Sequence, residues 1–174
     1  IALIAIFFVT QYNRLIRLNI TAEEAWSQIE VQLKRRADLI PNLIETVKGY
    51  AAHEQSTFDA VVAARAKATS ASSVADTAAA DGLLTQALRG LLAVAEAYPD
   101  LKASANFAAL QDELATTENK VAFSRQFYND TVRELNTAIK TIPTNFFAGF
   151  AKVSEREFYE VADPQDREVP NVKF

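Results

Sequence analysis

The chain contains no cysteine and no methionine, and it has only 4 glycines and 5 prolines among 174 residues. Without cysteine, a disulfide framework and thiolate metal sites are excluded. Because glycine and proline are scarce and strand-like alternation is absent outside the two ends, the sequence predicts an all-α fold in a single domain. A natural translation product starts with methionine, so we expect that residues before Ile1 were removed by processing or are not included in this sequence.

The chain also lacks a basic field and any recognisable catalytic signature. Its formal net charge is -4, and its basic residues are interleaved with acidic ones, so we expect no nucleic-acid partner. One histidine, His53, cannot form the paired Glu-x-x-His sites of di-iron bundles. We interpret His53 as a surface residue at a helix turn. No glycine-rich phosphate loop is present either, so the sequence predicts no catalytic residue, no metal and no cofactor, and we expect a protein that is not an enzyme.

The chain opens with an apolar run of nine residues that ends at Val9. The candidate membrane anchor consists of Ile1, Leu3, Ile4, Ile6, Phe7, Phe8, Val9 and Tyr12. Nine helical residues cover roughly 14 Å, about half of a hydrocarbon core that is about 30 Å thick. Either the front of a transmembrane helix is missing, or the short helix is buried in the core of an assembly. A buried helix of a soluble core is a third interpretation, which suits a run without a polar face less well.

The residues that follow the apolar run are typical of a membrane interface. The ring of Tyr12 is amphipathic, and the long side chains of Arg14 and Arg17 can extend toward lipid phosphates. Because positively charged residues flank membrane segments mainly on the cytoplasmic side, the two arginines favour a cytoplasmic position for the domain behind them.

Residues 21–69 follow one helical pattern that contains a proline. Thr21 and Glu24 have the spacing of a capping box, so either a new helix begins there or the helix is continuous with the anchor. Pro41 removes one backbone donor, and we expect a kink there rather than the end of the helix. The apolar stripe of this helix has steps of seven and consists of Trp26, Leu33, Ile40 and Val47, with Ile44, Ala51 and Phe58 on a second seam.

Two further helices are predicted after this one. Residues 70–80, which are rich in serine and alanine, predict a loop. Asp81 leads into a shorter helix that ends in a turn at Pro99. A third helix begins near Ser104 and ends before Pro143, with apolar or small residues at alternating steps of three and four that are typical of coiled-coil packing. The predicted organisation is an anchor helix (1–20), an antiparallel bundle of long helices (21–150) and an irregular aromatic and acidic tail (151–174).

Two groups of residues are candidate interaction surfaces. Arg35 and Arg36, with Asp38 and Glu45, could bind an anionic ligand, although such charges more often form solvated pairs on an exposed helix face. The second group consists of aromatic side chains near the C-terminus, which are expected to pack on the bundle, on another subunit or at a membrane surface. Its members are Phe146, Phe147, Phe150, Phe158 and Tyr159.

Several blocks of residues form a recognisable pattern along most of the chain. They include Tyr12-Asn13, Ala25-Trp26-Ser27-Gln28-Ile29, Asp38-Leu39-Ile40-Pro41-Asn42-Leu43, His53-Glu54, Tyr98-Pro99-Asp100-Leu101-Lys102, Tyr128-Asn129, Asn136, Pro170, Val172 and Phe174. On these residues the chain resembles the LemA family of bacterial membrane-anchored helical proteins. The resemblance implies an N-terminal transmembrane helix and an antiparallel bundle, with no established enzymatic role. The apolar segment before Tyr12 is shorter here than is usual in the family.

The expected function is that of a single-pass membrane protein that acts as a helical scaffold or adaptor in a bacterial cell membrane. Its expected partners are the lipid membrane, further copies of itself and an unidentified protein. Two alternatives stay open. The chain could remodel membranes or act in envelope stress by binding lipid directly, or it could be the subunit of a helical polymer with apolar N-terminal helices in its core.

Overall fold

The structure, a computed structural model, describes residues 2–160. Within this range all regular secondary structure is helical, so the predicted all-α fold is confirmed and is consistent with a helical bundle. Ile1 of the predicted anchor and most of the predicted tail lie outside the described residues. The helices are α1 (Ala2–Lys48), α2 (Gln55–Ser70), α3 (Val74–Glu96), α4 (Pro99–Lys102), α5 (Ala105–Lys140) and α6 (Asn145–Ala151).

Helix α1 runs without interruption from Ala2 to Lys48. The Thr21 capping-box spacing therefore does not start a new helix, and the segment that carries the candidate anchor is continuous with the helix behind it. The helix also continues past Pro41, as predicted. A proline removes only one backbone donor, and Pro41 is exposed here.

The prediction that this helix extends to about residue 69 is wrong, because residues 49–54 form a turn between α1 and α2. The amide of Ala51 donates to the carbonyl of Val47 at 2.9 Å, and the amide of Glu54 donates to the carbonyl of Ala51 at 3.2 Å. Ala51 and Phe58 are both buried. The apolar stripe thus keeps its spacing across the turn, which made a broken helix look continuous in the sequence.

The prediction of a loop at residues 70–80 is wrong for most of its length, since α3 begins at Val74. Ser73 caps the helix: its hydroxyl accepts a hydrogen bond from the amide of Asp76 at 3.0 Å. Alanine is the strongest helix former, and Ala78 and Ala80 are both buried. The later boundaries agree with the sequence, because α3 ends before Pro99 and α5 ends before Pro143.

The described residues form two compact units, and α1 and α5 each contribute to both. The first unit comprises residues 2–32 and Lys120–Tyr159, and the second is built mainly from Leu33–Asn119. The core of the first unit contains Leu15, Ala22, Leu135, Ala138, Phe147 and Val153. The larger core of the second unit contains Ile40, Leu43, Ile44, Val47, Phe58, Val61, Leu84, Leu88, Leu91, Leu101, Phe107, Leu110 and Leu114.

Candidate functional site

The first unit exposes a concentrated set of large apolar side chains, which we call the apolar end. Leu3 of α1 is 82% exposed and Phe150 of α6 is 85% exposed, so these residues take no part in the core. Monomeric soluble proteins rarely expose large contiguous apolar patches, and such patches mark interaction sites. The apolar end comprises Leu3, Ile4, Ile6, Phe7, Phe8, Val9 and Tyr12 of α1, Ile142 before α6, and Phe146 and Phe150 of α6.

Helix α6 lies beside the early turns of α1. The hydroxyl of Thr144 donates to the side-chain oxygen of Gln11 at 3.2 Å. The rings of Phe8 and Phe147 meet edge to face, with their centroids 5.2 Å apart. These two contacts fix the start of α6 next to residues 8–11 of α1 and bring its aromatic side chains to the apolar end.

One face of α6 is buried in the core and the other is exposed. Phe147 is buried in the core of the first unit, and Ala148 and Ala151 pack against the same core. Phe146 and Phe150 are four residues apart, so they lie on one face of the helix, and both are exposed. The short helix therefore presents two phenyl rings to the surroundings while a third ring attaches it to the fold.

A left-handed residue ends α6 and reverses the chain. Lys152 has a φ of 52°, and its amide donates to the carbonyl of Gly149 at 3.3 Å. The amide of Val153 donates to the carbonyl of Ala148 at 3.1 Å, which completes a Schellman motif. Val153 is buried, so the reversal is stabilised by packing as well as by hydrogen bonds.

Basic residues border the apolar end. Neither residues 2–13 nor residues 141–151 include a charged side chain. The first charges that follow the apolar part of α1 are Arg14 and Arg17, and the charges on either side of α6 are Lys140 and Lys152. Lys140 forms an ion pair with Glu155 at 2.7 Å. The first charged residues beyond the apolar segments are therefore basic, and one of them, Lys140, is paired with an acid.

Residues 152–159, which we call the strap, run back along α5 without regular secondary structure. The amide of Arg156 donates to Oδ1 of Asn136 at 3.0 Å, and Nδ2 of Asn136 donates to the carbonyl of Arg156 at 2.9 Å. Asn129 and Tyr159 repeat this pair of bonds at 2.8 Å and 3.0 Å. Two carboxamides thus satisfy both backbone groups of two strap residues, in place of a neighbouring strand.

The strap also contacts α1. Nε and a terminal nitrogen of Arg156 donate to Oδ1 of Asn19 at 3.3 Å and 3.1 Å. The ring of Trp26 lies 6.4 Å from the ring of Tyr159 and 5.4 Å from that of Tyr128, measured between centroids. These contacts tie the strap to both long helices of the first unit.

The phenol of Tyr128 lies inside this arrangement. Its hydroxyl donates to the carbonyl of Glu157 at 2.9 Å. Burial raises the pKa of the Tyr128 phenol, the nearby cation of Arg156 opposes that rise, and Glu157 adds to it. Tyr128 is therefore held in its neutral, donating form.

The structure separates the aromatic residues that the sequence grouped together. Phe146 and Phe150 are exposed and Phe158 is partly exposed, so all three are accessible. Phe147 and Tyr159 are buried, so these two pack on the bundle, which is the first of the alternatives given for them, and they do not belong to an exposed interaction surface. The reason is local: Phe147 packs against Phe8, and Tyr159 is enclosed by Trp26 and by the guanidinium of Arg125, which lies 5.5 Å from its ring centroid.

The second predicted surface, around Arg35 and Arg36, does not form a converging anion site. Arg35 pairs with Glu113 at 3.1 Å on the surface of the second unit. Arg36 is buried and pairs with Asp81 at 2.8 Å, so its assignment to an exposed face is wrong. The partner on α3 could not be found from the local charge pattern, because Asp81 is 45 residues away in the chain.

The remaining features of the described residues suggest no further chemistry. His53 is exposed in the turn before α2. An open groove of about 480 Å³ between α2 and α3 is lined mainly by small residues, with Lys67 as its charged member. Within residues 2–160, no three metal-binding side chains come together. In the same range, none of the helices combines the length and the apolar character needed to cross a membrane.

Fold and surface together define a class: an all-helical protein with an exposed apolar end that has a basic border. The sequence profile of the LemA family matches residues 25–174. The chain belongs to the LemA family, which confirms the resemblance seen in its sequence.

Individual relatives agree with this assignment. The magnetosome protein MamQ of Magnetospirillum gryphiswaldense is 25% identical over 82% of this chain and 63% of its own length. Magnetosome protein MamQ 2 of Paramagnetospirillum magneticum is 23% identical over 86% of this chain and 65% of its own length. Protein LemA of Metamycoplasma hominis is 27% identical over 95% of this chain and 74% of its own length. The chain thus spans slightly less than two thirds of the length of these MamQ relatives.

Proposed function

We propose that the protein is a helical scaffold that binds a bacterial membrane through its apolar end and has no catalytic activity of its own. The observation that carries this proposal is the exposure of the apolar residues from Leu3 to Val9 at the start of α1. Residues 2–9 extend for about 12 Å along the helix, which reaches into one leaflet of a hydrocarbon core that is about 30 Å thick.

The order of residues along α1 supports lipid as the occupant. Apolar side chains come first, Tyr12 follows, and Arg14 and Arg17 come next. Membrane-bound helices show this order from the hydrocarbon to the phosphate layer, because an aromatic ring suits the interface and arginine can reach the phosphates. The same arginines favour the cytoplasmic side of the membrane for the helical units.

A scaffold without catalysis is supported by the chemistry of the apolar end and by the relatives. Among the residues that define the apolar end, Tyr12 has the one titratable side chain. General acid, general base and nucleophilic catalysis all need a positioned titratable or nucleophilic group. The relatives are named magnetosome protein MamQ and protein LemA, and neither name denotes a reaction.

Association with proteins, including further copies of this chain, would use another surface. Phe123 and Phe127 lie four residues apart on α5, and Phe123 is 73% exposed. Aromatic side chains are enriched at protein interfaces. We expect Phe123→Ser/Phe127→Ser to lower the mass measured by sedimentation of the protein in detergent, and an unchanged monomeric mass in both proteins would contradict self-association.

Flotation with phospholipid vesicles tests the proposed membrane contact. The wild-type chain should float with the vesicles, and Leu3→Asp/Phe7→Asp should reduce the bound fraction at least about tenfold, since each carboxylate opposes insertion by about 2.5 to 3.5 kcal/mol. Val62→Asp/Leu83→Asp changes two exposed apolar residues of the second unit and is the matched control. Equal flotation of both variants, or none by the wild type, would refute the proposal.

A further inference from the structure

We infer that α6 is a second membrane contact, selective for anionic phospholipid. Phe146 and Phe150 insert at the boundary between headgroups and acyl chains, while Arg14, Arg17 and Lys152 bind lipid phosphates. This inference rests on the proposed function, because α6 reaches lipid only when the start of α1 is already there.

The position of α6 along α1 sets its depth. Phe8 lies six residues before Arg14 in α1, which corresponds to about 9 Å along the helix axis. Phe147 is next to Phe8, at 5.2 Å between ring centroids. With Arg14 at the level of the phosphates, Phe147 in the middle of α6 therefore lies about 9 Å below them, within the 5 to 10 Å at which the apolar faces of interfacial helices are buried.

The outer face of α6 has the chemistry of an interfacial helix. Phe146 and Phe150 are 66% and 85% exposed, and Ile142 precedes them at 75%. Phe147 anchors the opposite face in the core, so α6 cannot turn its outer rings inward without losing that packing. Aromatic side chains are favoured at the level of the headgroups, which gives these rings an apolar environment that the fold itself does not supply.

The charges favour an anionic bilayer over a second copy of the chain. Arg14, Arg17 and Lys152 are all exposed, and the nearest acid after α6, Glu155, is paired with Lys140. A second copy docked symmetrically on this surface would bring the same cations together, which is unfavourable. The whole chain has a net charge of -4, so an anionic bilayer repels the rest of the protein and attracts this end.

Lys152 also has a structural role, which the other two cations do not share. It occupies the left-handed position at the end of α6, where glycine is common, and a cation there interacts favourably with the helix C-terminus. Arg14 and Arg17 lie in the interior of α1, far from either end of that helix. Replacing Arg14 or Arg17 therefore removes a cation without changing a helix terminus.

A fluorescent label on α6 tests the inference. The chain has no cysteine, and a Cβ added at Gly149 meets no other part of the fold within 4 Å, so Gly149→Cys is a suitable position for an environment-sensitive dye. A Cβ added at Gly90 on α3 likewise meets no other part of the fold within 4 Å, so Gly90→Cys is the matched control. The vesicles contain equimolar phosphatidylcholine and phosphatidylglycerol. We expect the fluorescence emission of the Gly149 dye to shift to the blue and to be quenched by spin-labelled lipid in these vesicles. The emission of the Gly90 dye should show neither change.

Charge and ring variants then test selectivity. Each cation is expected to contribute about fivefold to binding of anionic vesicles, which corresponds to about 1 kcal/mol per basic residue near the surface. Arg14→Gln/Arg17→Gln should therefore bind mixed vesicles more than about tenfold less tightly, with little change on phosphatidylcholine alone. Phe146→Ser/Phe150→Ser should abolish the shift of the Gly149 dye but leave flotation through α1 in place.

The outcomes separate this inference from the proposed function. A protein that floats while the Gly149 dye keeps its aqueous spectrum would overturn the role of α6 and leave the role of α1 intact. No flotation at all would overturn both. A blue shift that depends on protein concentration and not on vesicles would identify a second copy as the occupant and would also overturn the inference.

Discussion

Asn136 holds both backbone groups of Arg156, accepting from its amide at 3.0 Å and donating to its carbonyl at 2.9 Å. Asn129 does the same for Tyr159. The two asparagines are seven residues apart on α5, about 10.5 Å at the helical rise, and their partners are three residues apart, about 10 Å in extended chain. This agreement between helix spacing and strap spacing allows both pairs to form at once.

Replacing Asn136 by alanine should destabilise the first unit. The change leaves an amide and a carbonyl of the strap without their partner, and we expect a loss of about 1 to 3 kcal/mol in the free energy of unfolding. Urea denaturation followed by circular dichroism measures it. Asn119→Ala, at an exposed asparagine of the same helix, is the control and should change stability by less than about 0.5 kcal/mol. Equal effects of the two substitutions would argue against the role given to Asn136.

Replacing one partner of the buried ion pair in the second unit should lower the free energy of unfolding more than replacing both partners. Arg36→Met removes the guanidinium that pairs with the buried carboxylate of Asp81, and a loss of about 3 to 5 kcal/mol in the free energy of unfolding is expected. The double variant Arg36→Met/Asp81→Leu should recover much of this loss, since apolar side chains of similar volume can replace a buried pair. Thermal unfolding measures both variants.

The exposed neighbour Arg35 supplies the control for the ion-pair experiment. Arg35→Met removes a solvent-exposed pair with Glu113 and should cost no more than about 1 kcal/mol. A double variant that is less stable than Arg36→Met alone would show that Asp81 contributes through contacts other than this pair.

Stability should fall at alkaline pH partly through Tyr128. Burial raises the pKa of its phenol above the ordinary value of 10.0, so the folded state holds the proton more tightly than the unfolded chain does. The stabilisation is complete below about pH 10 and is lost as the pH rises through the folded-state pKa. Above pH 10 the free energy of unfolding should fall more steeply for the wild type than for Tyr128→Phe. Equal slopes for the wild type and Tyr128→Phe would contradict this role of Tyr128.

Lys152→Gly should affect stability and membrane binding in opposite directions. Glycine adopts the left-handed conformation at this position without the steric cost of about 1 to 2 kcal/mol that other residues incur, so a modest stabilisation is expected. Binding to anionic vesicles should weaken about fivefold because one cation is lost. Thermal unfolding and vesicle flotation measure the two effects, and unchanged binding would exclude Lys152 from the lipid contact.

The periodic parts of the fold could be predicted from the sequence. Helix α5 has an uninterrupted pattern of apolar and small residues, and Pro143 marks the region where it ends. The turn before α2 was missed because Ala51 continues the apolar stripe while the backbone leaves the helix. The start of α3 was missed because its alanines look like a linker until the residues they pack against are known.

The candidate site was predictable only in part, because exposure depends on tertiary contacts. The apolar run at the start of α1 is evident in the sequence, and its side chains are exposed in the structure. Composition could not tell that Phe147 is buried while Phe146 and Phe150 are exposed, since this depends on where α6 meets α1. The strap has no periodicity at all. Its one visible signal was the spacing of Asn129 and Asn136, whose partners could not be known without the fold.

Arg156 gives the first unit a mechanical property. Its guanidinium is bonded to Asn19 of α1, while its own amide and carbonyl are bonded to Asn136 of α5. Sliding of α1 along α5 within the first unit would stretch or break the bonds to Asn19 or to Asn136, so Arg156 opposes that motion by the free energy of these hydrogen bonds.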